Sequence, residues 1–415
     1  MKNLKSSALF QNASILLFLQ LFSYVVPFLL LPYLSRTLGV NGFGSLATLW
    51  VLGAYIQILI DFGFYLWATK ECAMLKNDSA ALSKLWMIVF VIKTAIGLAS
   101  LFIMIGFSFA FSEPFWLYAF MWLSILSQAL MPTWLFQGVQ RVLPLLVFSL
   151  SAQIIGALLT IYFVKSADDI VFVSFASALS WTFFSLIANY YAYKQFSLSL
   201  NAPRVDELKK AINGAWHLFT ANIAVAFYNN LPAFMLTIFG TKSEIAVFVG
   251  AQKIVLALSG LFAPISSAIF PKIAELTKNS VKYADIFLKR AVIITFLVMG
   301  SLALGVFVFA DTIVSLALGS GFEESAALLR IMAAGPVFVA INTLMYSGYI
   351  VIRDLASKMK MFFLTISIGA LFASVFAVFF ARSHGAAFLY VLIEVAVFSG
   401  LLWKIKKFRK IDGAK

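Results

Sequence analysis

Apolar residues run along this chain in blocks of about twenty or more, separated by short polar segments, a length that lets a helix cross the hydrocarbon of a bilayer. Such blocks lie near residues 8–34, 43–65, 85–109, 115–135, 143–164, 170–193, 212–239, 245–270, 288–309, 328–351, 361–380 and 385–403. A membrane barrel would instead show segments of about ten residues alternating apolar and polar. The pattern therefore predicts an all-α polytopic membrane protein of about twelve transmembrane helices. Lys2 and Lys5 precede an apolar run, Ala8 to Leu34, that is too long for a signal peptide core and has no convincing cleavage site, so it reads as the first retained span.

Composition agrees. Of 415 residues 62% are hydrophobic and 12% charged, with mean hydropathy +0.98, too little polar material to cover a water-soluble surface. The net charge of +14 could suggest nucleic acid, but the basic residues sit between apolar spans, where cytoplasmic loops keep them, and no nucleic-acid motif accompanies them. Twenty-four of the thirty-one Lys and Arg fall on one side of the span map, five on the other (Arg36, Lys165, Lys242, Arg330 and Arg382), and two, Lys93 and Lys253, inside spans. The crowded side carries both termini, which the positive-inside rule makes cytoplasmic. Trp67, Trp86, Trp134, Trp216 and Trp403 fall at expected cytoplasmic helix ends, as an aromatic belt would place them. A lone Cys72 excludes an internal disulfide framework, and two histidines, His217 and His384, give no metal cluster. No cofactor is expected.

The polar break from Gln195 to Leu208 divides the map into a lobe at 1–194 (spans one to six), a cytoplasmic linker at 195–211, a second lobe at 212–403 (spans seven to twelve) and a basic cytoplasmic tail at 404–415. Six spans per lobe insert both lobes the same way up, so an internal repeat would be parallel. A faint echo links Pro27, the turn at Leu38–Gly44 and Lys70 with Pro232, the turn at Gly240–Glu244 and Lys272.

Ionisable side chains in hydrocarbon cost about 2.5–3.5 kcal/mol on insertion scales and mark cavities or partners. Lys93 shares a helical face with Gly97 and Ser100, and Lys253 one with Gly260, Pro264 and Ser267. Glu394 lies in mid-span one turn from Tyr390, and Asp61 one turn after Gln57. Two readings stand for the lysines. They present charge to a central cavity that accepts an anion, or they snorkel or pair structurally with Asp61 or Glu394. Asp61 and Glu394 are in turn candidates for a coupling ion. Polar stripes mark further cavity candidates: Asn12, Gln20 and Ser23 in span one, Asn213, His217 and Thr220 in span seven, and Asn342, Tyr346, Tyr349 and Arg353 in span ten. Interhelical hydrogen bonds explain such stripes equally well. With no P-loop, nucleophile elbow or zinc-ligand helix, and no sizeable domain outside the spans, nothing in the sequence suggests an enzyme.

Pro32–Tyr33–Leu34–Ser35–Arg36, Leu38–Gly39, Gly42–Phe43–Gly44 and Asp61–Phe62–Gly63–Phe64 together resemble the opening signature of the Wzx-type O-antigen flippases, within the multidrug/oligosaccharidyl-lipid/polysaccharide exporter superfamily. Trp134–Leu135–Phe136–Gln137–Gly138 is similar to a further element of that family. The resemblance covers the first third of the chain. It implies a MATE-like fold of two six-helix lobes rocking about a central, often cationic, cavity in the bacterial inner membrane. It further implies carriage of an undecaprenyl-pyrophosphate-linked oligosaccharide to the periplasmic leaflet. Expected partners are then that lipid, membrane lipids, and the polysaccharide polymerase and chain-length proteins. Within the matched motifs Arg36, Asp61 and Gln137 are the residues it singles out. Two alternatives stay open: an ion-coupled multidrug antiporter of the same superfamily, which wants an acidic or aromatic site, and a polymerase or ligase of the glycan pathway, which wants a large outer loop.

Overall fold

The structure is a computed structural model that describes residues 2–412, with the side chains of 1–14, 221, 222, 224–226, 263, 264, 267, 268 and 410–415 outside the description. Asn12, and the Pro264 and Ser267 expected beside Lys253, are therefore outside the described residues. All regular elements among the described residues are helical: α1 (Lys2–Asp61), α2 (Phe64–Leu75), α3 (Ser79–Ala110), α4 (Phe115–Leu130), α5 (Thr133–Gly138), α6 (Leu143–Phe163), α7 (Ile170–Gln195) and α8 (Val205–Phe239). There follow α9 (Lys242–Gly260), α10 (Ala263–Asn279), α11 (Val281–Val308), α12 (Ala310–Ala317), α13 (Glu324–Met332), α14 (Gly335–Met345), a π-helical turn at Tyr346–Val351, and α15 (Lys360–Asp412).

Nine helical stretches among the described residues are long and apolar enough to cross a membrane, and the chain is a multi-pass membrane protein. Two of the nine, Ile15–Leu75 and Ala356–Arg409, have 61 and 54 residues. A helix of that length would extend about 80–90 Å, twice the bilayer with its head groups, so neither fits as one straight crossing. Both long helices are broken. Gly39 at φ 63, ψ −179 interrupts α1, and Arg382 at φ 48, ψ −129 interrupts α15. The first of these conformations is open to glycine alone. At the second, Gly385 packs so closely that a Cβ would stand 1.9 Å from the Ala377 carbonyl oxygen, and the Arg382 guanidinium donates to the Phe239 carbonyl at the end of α8. The loops expected between spans one and two and between spans eleven and twelve thus coincide with single-residue breaks in otherwise continuous helix.

Two compact units emerge, unit 1 at Met1–Ala226 and unit 2 at Phe227–Lys415, dividing within α8. Helix already begins at Val205, inside the segment expected as a linker. In unit 1 the core gathers Phe64, Trp86, Trp134, Leu135 and Phe136 with the small residues Ala188 and Ala192 of α7 and Ala215 of α8. Two of the tryptophans expected in an interfacial belt are accordingly buried, Trp86 at 7% and Trp134 at 3% exposure, whereas Trp216 and Trp403 are exposed.

Candidate functional site

The segment Asp61–Phe62–Gly63–Phe64 ends α1 and starts α2 through two successive left-handed residues, Phe62 at φ 46 and Gly63 at φ 75. Each of the four has its own task. Phe64 is fully buried, Phe62 stacks on Phe219 of α8 with ring centroids 4.4 Å apart, and Gly63 meets the α8 backbone. A Cβ on Gly63 would sit 2.7 Å from the Phe219 nitrogen, so both its backbone angle and its neighbour require glycine. The break leaves Asp61 at the last helical position of α1, its side chain 26% exposed, facing Lys93.

Lys93 is 3% exposed on α3, and its Nζ donates to Asp61 Oδ1 at 2.8 Å and to the Ala129 carbonyl at 3.1 Å. That second acceptor exists because α4 stops at Met131–Pro132. The Thr133 N–H turns to the Met131 carbonyl, so Ala129 lacks the donor an uninterrupted helix would supply. The neighbouring carbonyl of Leu130 has lost its donor in the same way and accepts from Asn189 Nδ2 at 3.1 Å, while Asn189 Oδ1 accepts from Trp86 Nε1. Two helix breaks, in α1/α2 and α4/α5, thereby supply the polar groups that hold one buried ammonium.

Beside this pair opens a cavity of about 390 Å³, whose lining includes Gln57, Tyr65, Gln128, Ser149, Trp181 and Phe219 as well as Asp61 and Lys93. The Tyr65 hydroxyl donates to Gln137 Oε1 at 2.9 Å, and Gly138 lies against Cys72, where a Cβ would come within 2.6 Å of Sγ. The two sequence motifs are therefore one packed unit, α2 on α5, forming one wall of the cavity.

Unit 2 buries a different constellation. Glu394, 7% exposed on α15, accepts from Asn342 Nδ2 of α14 at its carboxylate (2.9 Å) and at its own carbonyl (3.0 Å). Asn342 Oδ1 is buried with no hydrogen-bond partner. Along the expected span-ten stripe, part of which lies in the π-helical turn, Tyr346 packs on Phe363 and Tyr349 lies under Arg353, which pairs with Asp285 at 2.6 Å. Lys253 is half-buried on α9.

Of the candidate residues, then, the structure joins Lys93 with Asp61, and Asn342 with Glu394. Arg36 is exposed three residues before the break at Gly39, outside the cavity lining that includes Asp61. Gln20 is half-buried on α1 and outside the cavity lining, and His217 is exposed on α8, where Phe219 supplies the lining side chain. The aromatic walls Tyr65, Trp181 and Phe219 carry no distinguishing sequence signal in a chain with 44 Phe, 14 Tyr and 9 Trp. Gln128, a polar residue inside span four, could have been flagged by the same test that found Lys93. Among the described residues no group of three His, Cys, Asp or Glu is placed to hold a metal.

Residues 9–277 match the family described as polysaccharide biosynthesis protein. A putative O-antigen transporter of Shigella dysenteriae is 24% identical over 78% of this chain and 81% of its own length. Among solved structures, an inward-facing multidrug resistance MATE family transporter of the MOP superfamily superposes with TM-score 0.74 at 14% identity, covering 94% of this chain and 96% of that one. The lipid II flippase MurJ in an inward closed conformation gives TM-score 0.66 at 14% identity, covering 97% of this chain and 87% of its own. The fold is thus MATE-like.

Proposed function

Because the chain belongs to the polysaccharide biosynthesis protein family, we propose that it is a flippase carrying an undecaprenyl-pyrophosphate-linked O-antigen repeat unit from the cytoplasmic to the periplasmic leaflet of the bacterial inner membrane by alternating access. The observation that carries this reading is the polar cavity inside unit 1, where a buried lysine and its aspartate stand among glutamines and aromatic rings. The name of the Shigella relative supports it.

A sugar head group leaving water needs replacement hydrogen bonds, while its polyprenyl tail can stay in lipid. Gln57, Gln128 and Ser149 offer such bonds, and Tyr65, Trp181 and Phe219 offer flat apolar faces. Lys93 supplies the positive charge. At rest Asp61 neutralises it, and an arriving pyrophosphate competes with Asp61 for the same ammonium. Lys253 is the corresponding cation in unit 2, and Asp61 and Glu394 are the groups that could carry a coupling ion. With both termini cytoplasmic and the cytoplasm negative, outward movement of each negative charge is favoured by about 2.3 kcal/mol per 100 mV.

The likeness to multidrug transporters favours a second reading, an ion-coupled drug antiporter. Pairing of Asp61 with Lys93 argues against it, because the cavity then holds no net negative charge for a cationic drug. Deleting the gene and examining surface polysaccharide separates the two. Loss of polysaccharide with lipid-linked repeat units held on the inner leaflet is the expected result. Intact polysaccharide with lost drug resistance overturns it in favour of the antiporter. If Lys93→Arg and Lys253→Arg restore export to the deletion strain and Lys93→Met and Lys253→Met do not, at equal protein levels, the charges are the operative feature.

A further inference from the structure

A second cavity, of about 410 Å³, lies within unit 2 between α11 and the α13–α14 pair. On α11 its lining residues Phe296, Gly300, Ala303, Leu304 and Phe307 fall at intervals of a single helical stripe. Facing them on α13 and α14 are Arg330, Ala333, Ala334, Val337 and Phe338, again one stripe. Small residues form the floor: a Cβ on Gly300 would meet nothing within 4 Å, and Ala303 and Ala333 are buried. Aromatic rings form the rims, with Phe296 and Phe307 about half exposed. The surface around it is apolar and outward-facing, with Ile294, Leu297 and Leu304 each 60% exposed or more, as lipid contact requires.

Arg330 stands at one end of the groove, in the last turn of α13, and its Nη2 pairs with Asp311 of α12. A guanidinium carries five N–H donors, so this contact leaves most of its hydrogen-bonding capacity for another anion. From Phe296 to Phe307 the groove runs about 16 Å along α11, close to one leaflet of a hydrocarbon core about 30 Å thick. A one-leaflet apolar cleft ending in an arginine matches the tail of a lipid whose phosphate meets the guanidinium. The aromatic rims suit a chain of flat alkene units.

We propose that this groove holds the polyprenyl tail of the carried lipid on the outer side, once the head group has left Lys93, with the phosphate nearest the tail at Arg330. The assignment rests on the flippase reading and adds to it where the tail lies after the head group has crossed. Full-length protein in vesicles is labelled with a photoreactive polyprenyl phosphate lacking sugar, and the labelled peptides are identified by mass spectrometry. Labelling is expected on α11 and α13–α14, competed by unlabelled polyprenyl phosphate and not by phosphatidylglycerol. Gly300→Leu fills the groove in open space and should lower labelling about tenfold. Gly305→Leu, also in open space but off the groove stripe, should leave it unchanged. Equal competition by phosphatidylglycerol, absence of label from these helices, or equal loss in both variants overturns the proposal. The labelling requires no transport, so its failure in a protein whose deletion abolishes surface polysaccharide removes the groove and leaves the flippase. Intact polysaccharide on deletion removes the flippase whatever the label shows.

Discussion

In unit 1 a partly exposed acid stands at a helix break and meets a buried lysine; in unit 2 a buried acid stands in mid-helix and meets an amide. Asp61 and Lys93 form an ion pair at 2.8 Å whose cation is held by a carbonyl that another break has released. Glu394 accepts two bonds from Asn342, while the other end of that amide, Oδ1, has no partner. A charge pair in a low-dielectric interior is strained by removal of either member, whereas an acid held by an amide can lose its charge and keep its bonds. The same chemical change, acid to amide, should therefore act in opposite directions in the two units.

The largest effect is expected in unit 1. Lys93→Met leaves the Asp61 carboxylate without its cation, and Asp61→Asn leaves a nearly fully buried ammonium without its anion. Each should destabilise the protein by about 2–3 kcal/mol, below the usual 3–5 for breaking a buried pair because Asp61 is partly exposed. The double variant Lys93→Met, Asp61→Leu should recover most of that loss. Unfolding of purified protein in detergent, followed by tryptophan fluorescence, gives all three values. Additive losses in the double variant would mean that the two groups do not act as a pair.

Unit 2 should show the opposite sign. In Glu394→Gln the new amide can accept from Asn342 Nδ2 and also donate to the stranded Oδ1, so stability is expected to hold or rise, within about 1 kcal/mol. Asn342→Leu removes the donor and should cost about 1–2 kcal/mol, softened by removal of the unsatisfied oxygen. If Glu394→Gln proved as damaging as Asp61→Asn, Glu394 would be an ionised member of a pair, and the contrast between the units would fall.

How far the sequence foresees this difference depends on what each feature requires. Long apolar runs reveal membrane helices directly, and a mid-span charge such as Lys93 or Glu394 declares itself by its cost. Which charges meet is another matter. Lys93 and Asp61 lie on adjacent spans, and their meeting depends on helix rotations and on the left-handed pair Phe62–Gly63, which no periodicity encodes. The Ala129 acceptor appears only once the break at Met131–Pro132 has been placed. Sequence spacing groups Asn342, Tyr346, Tyr349 and Arg353, but the π-helical turn that holds two of them is not legible in that spacing. The breaks at Gly39 and Arg382 fall in the gaps the apolar runs leave, but that a single residue makes each of them is not legible, since an arginine at positive φ is not a turn signal.

The smallest effect concerns the aqueous ends of the units. At the start of α8 in unit 1, Glu207 pairs with Lys84 of α3 and accepts from the Arg204 N–H, and its carboxyl is held below its ordinary value, first by the Lys84 hydrogen bond and then by the Arg204 N–H. In unit 2, Asp285 is held between Arg353 at 2.6 Å and Arg409 at 3.1 Å, with Arg353 stacked on Tyr349. A depressed folded-state value means that the Glu207 contribution is present above the ordinary carboxylate range and is lost as pH falls through the lowered value. Since Glu207 sits in water, the loss is local fraying of the first turn of α8 and not unfolding of unit 1. Hydrogen exchange at the N–H groups of residues 207 and 208, corrected for its intrinsic pH dependence, should quicken only once pH has fallen below the ordinary carboxylate range. Lys84→Ala should remove most of that pH dependence, because it takes away the ammonium whose hydrogen bond does most to keep the carboxyl ionised. The same substitution should leave exchange around Asp285 unchanged, since a two-arginine clamp in the other unit shares no group with it.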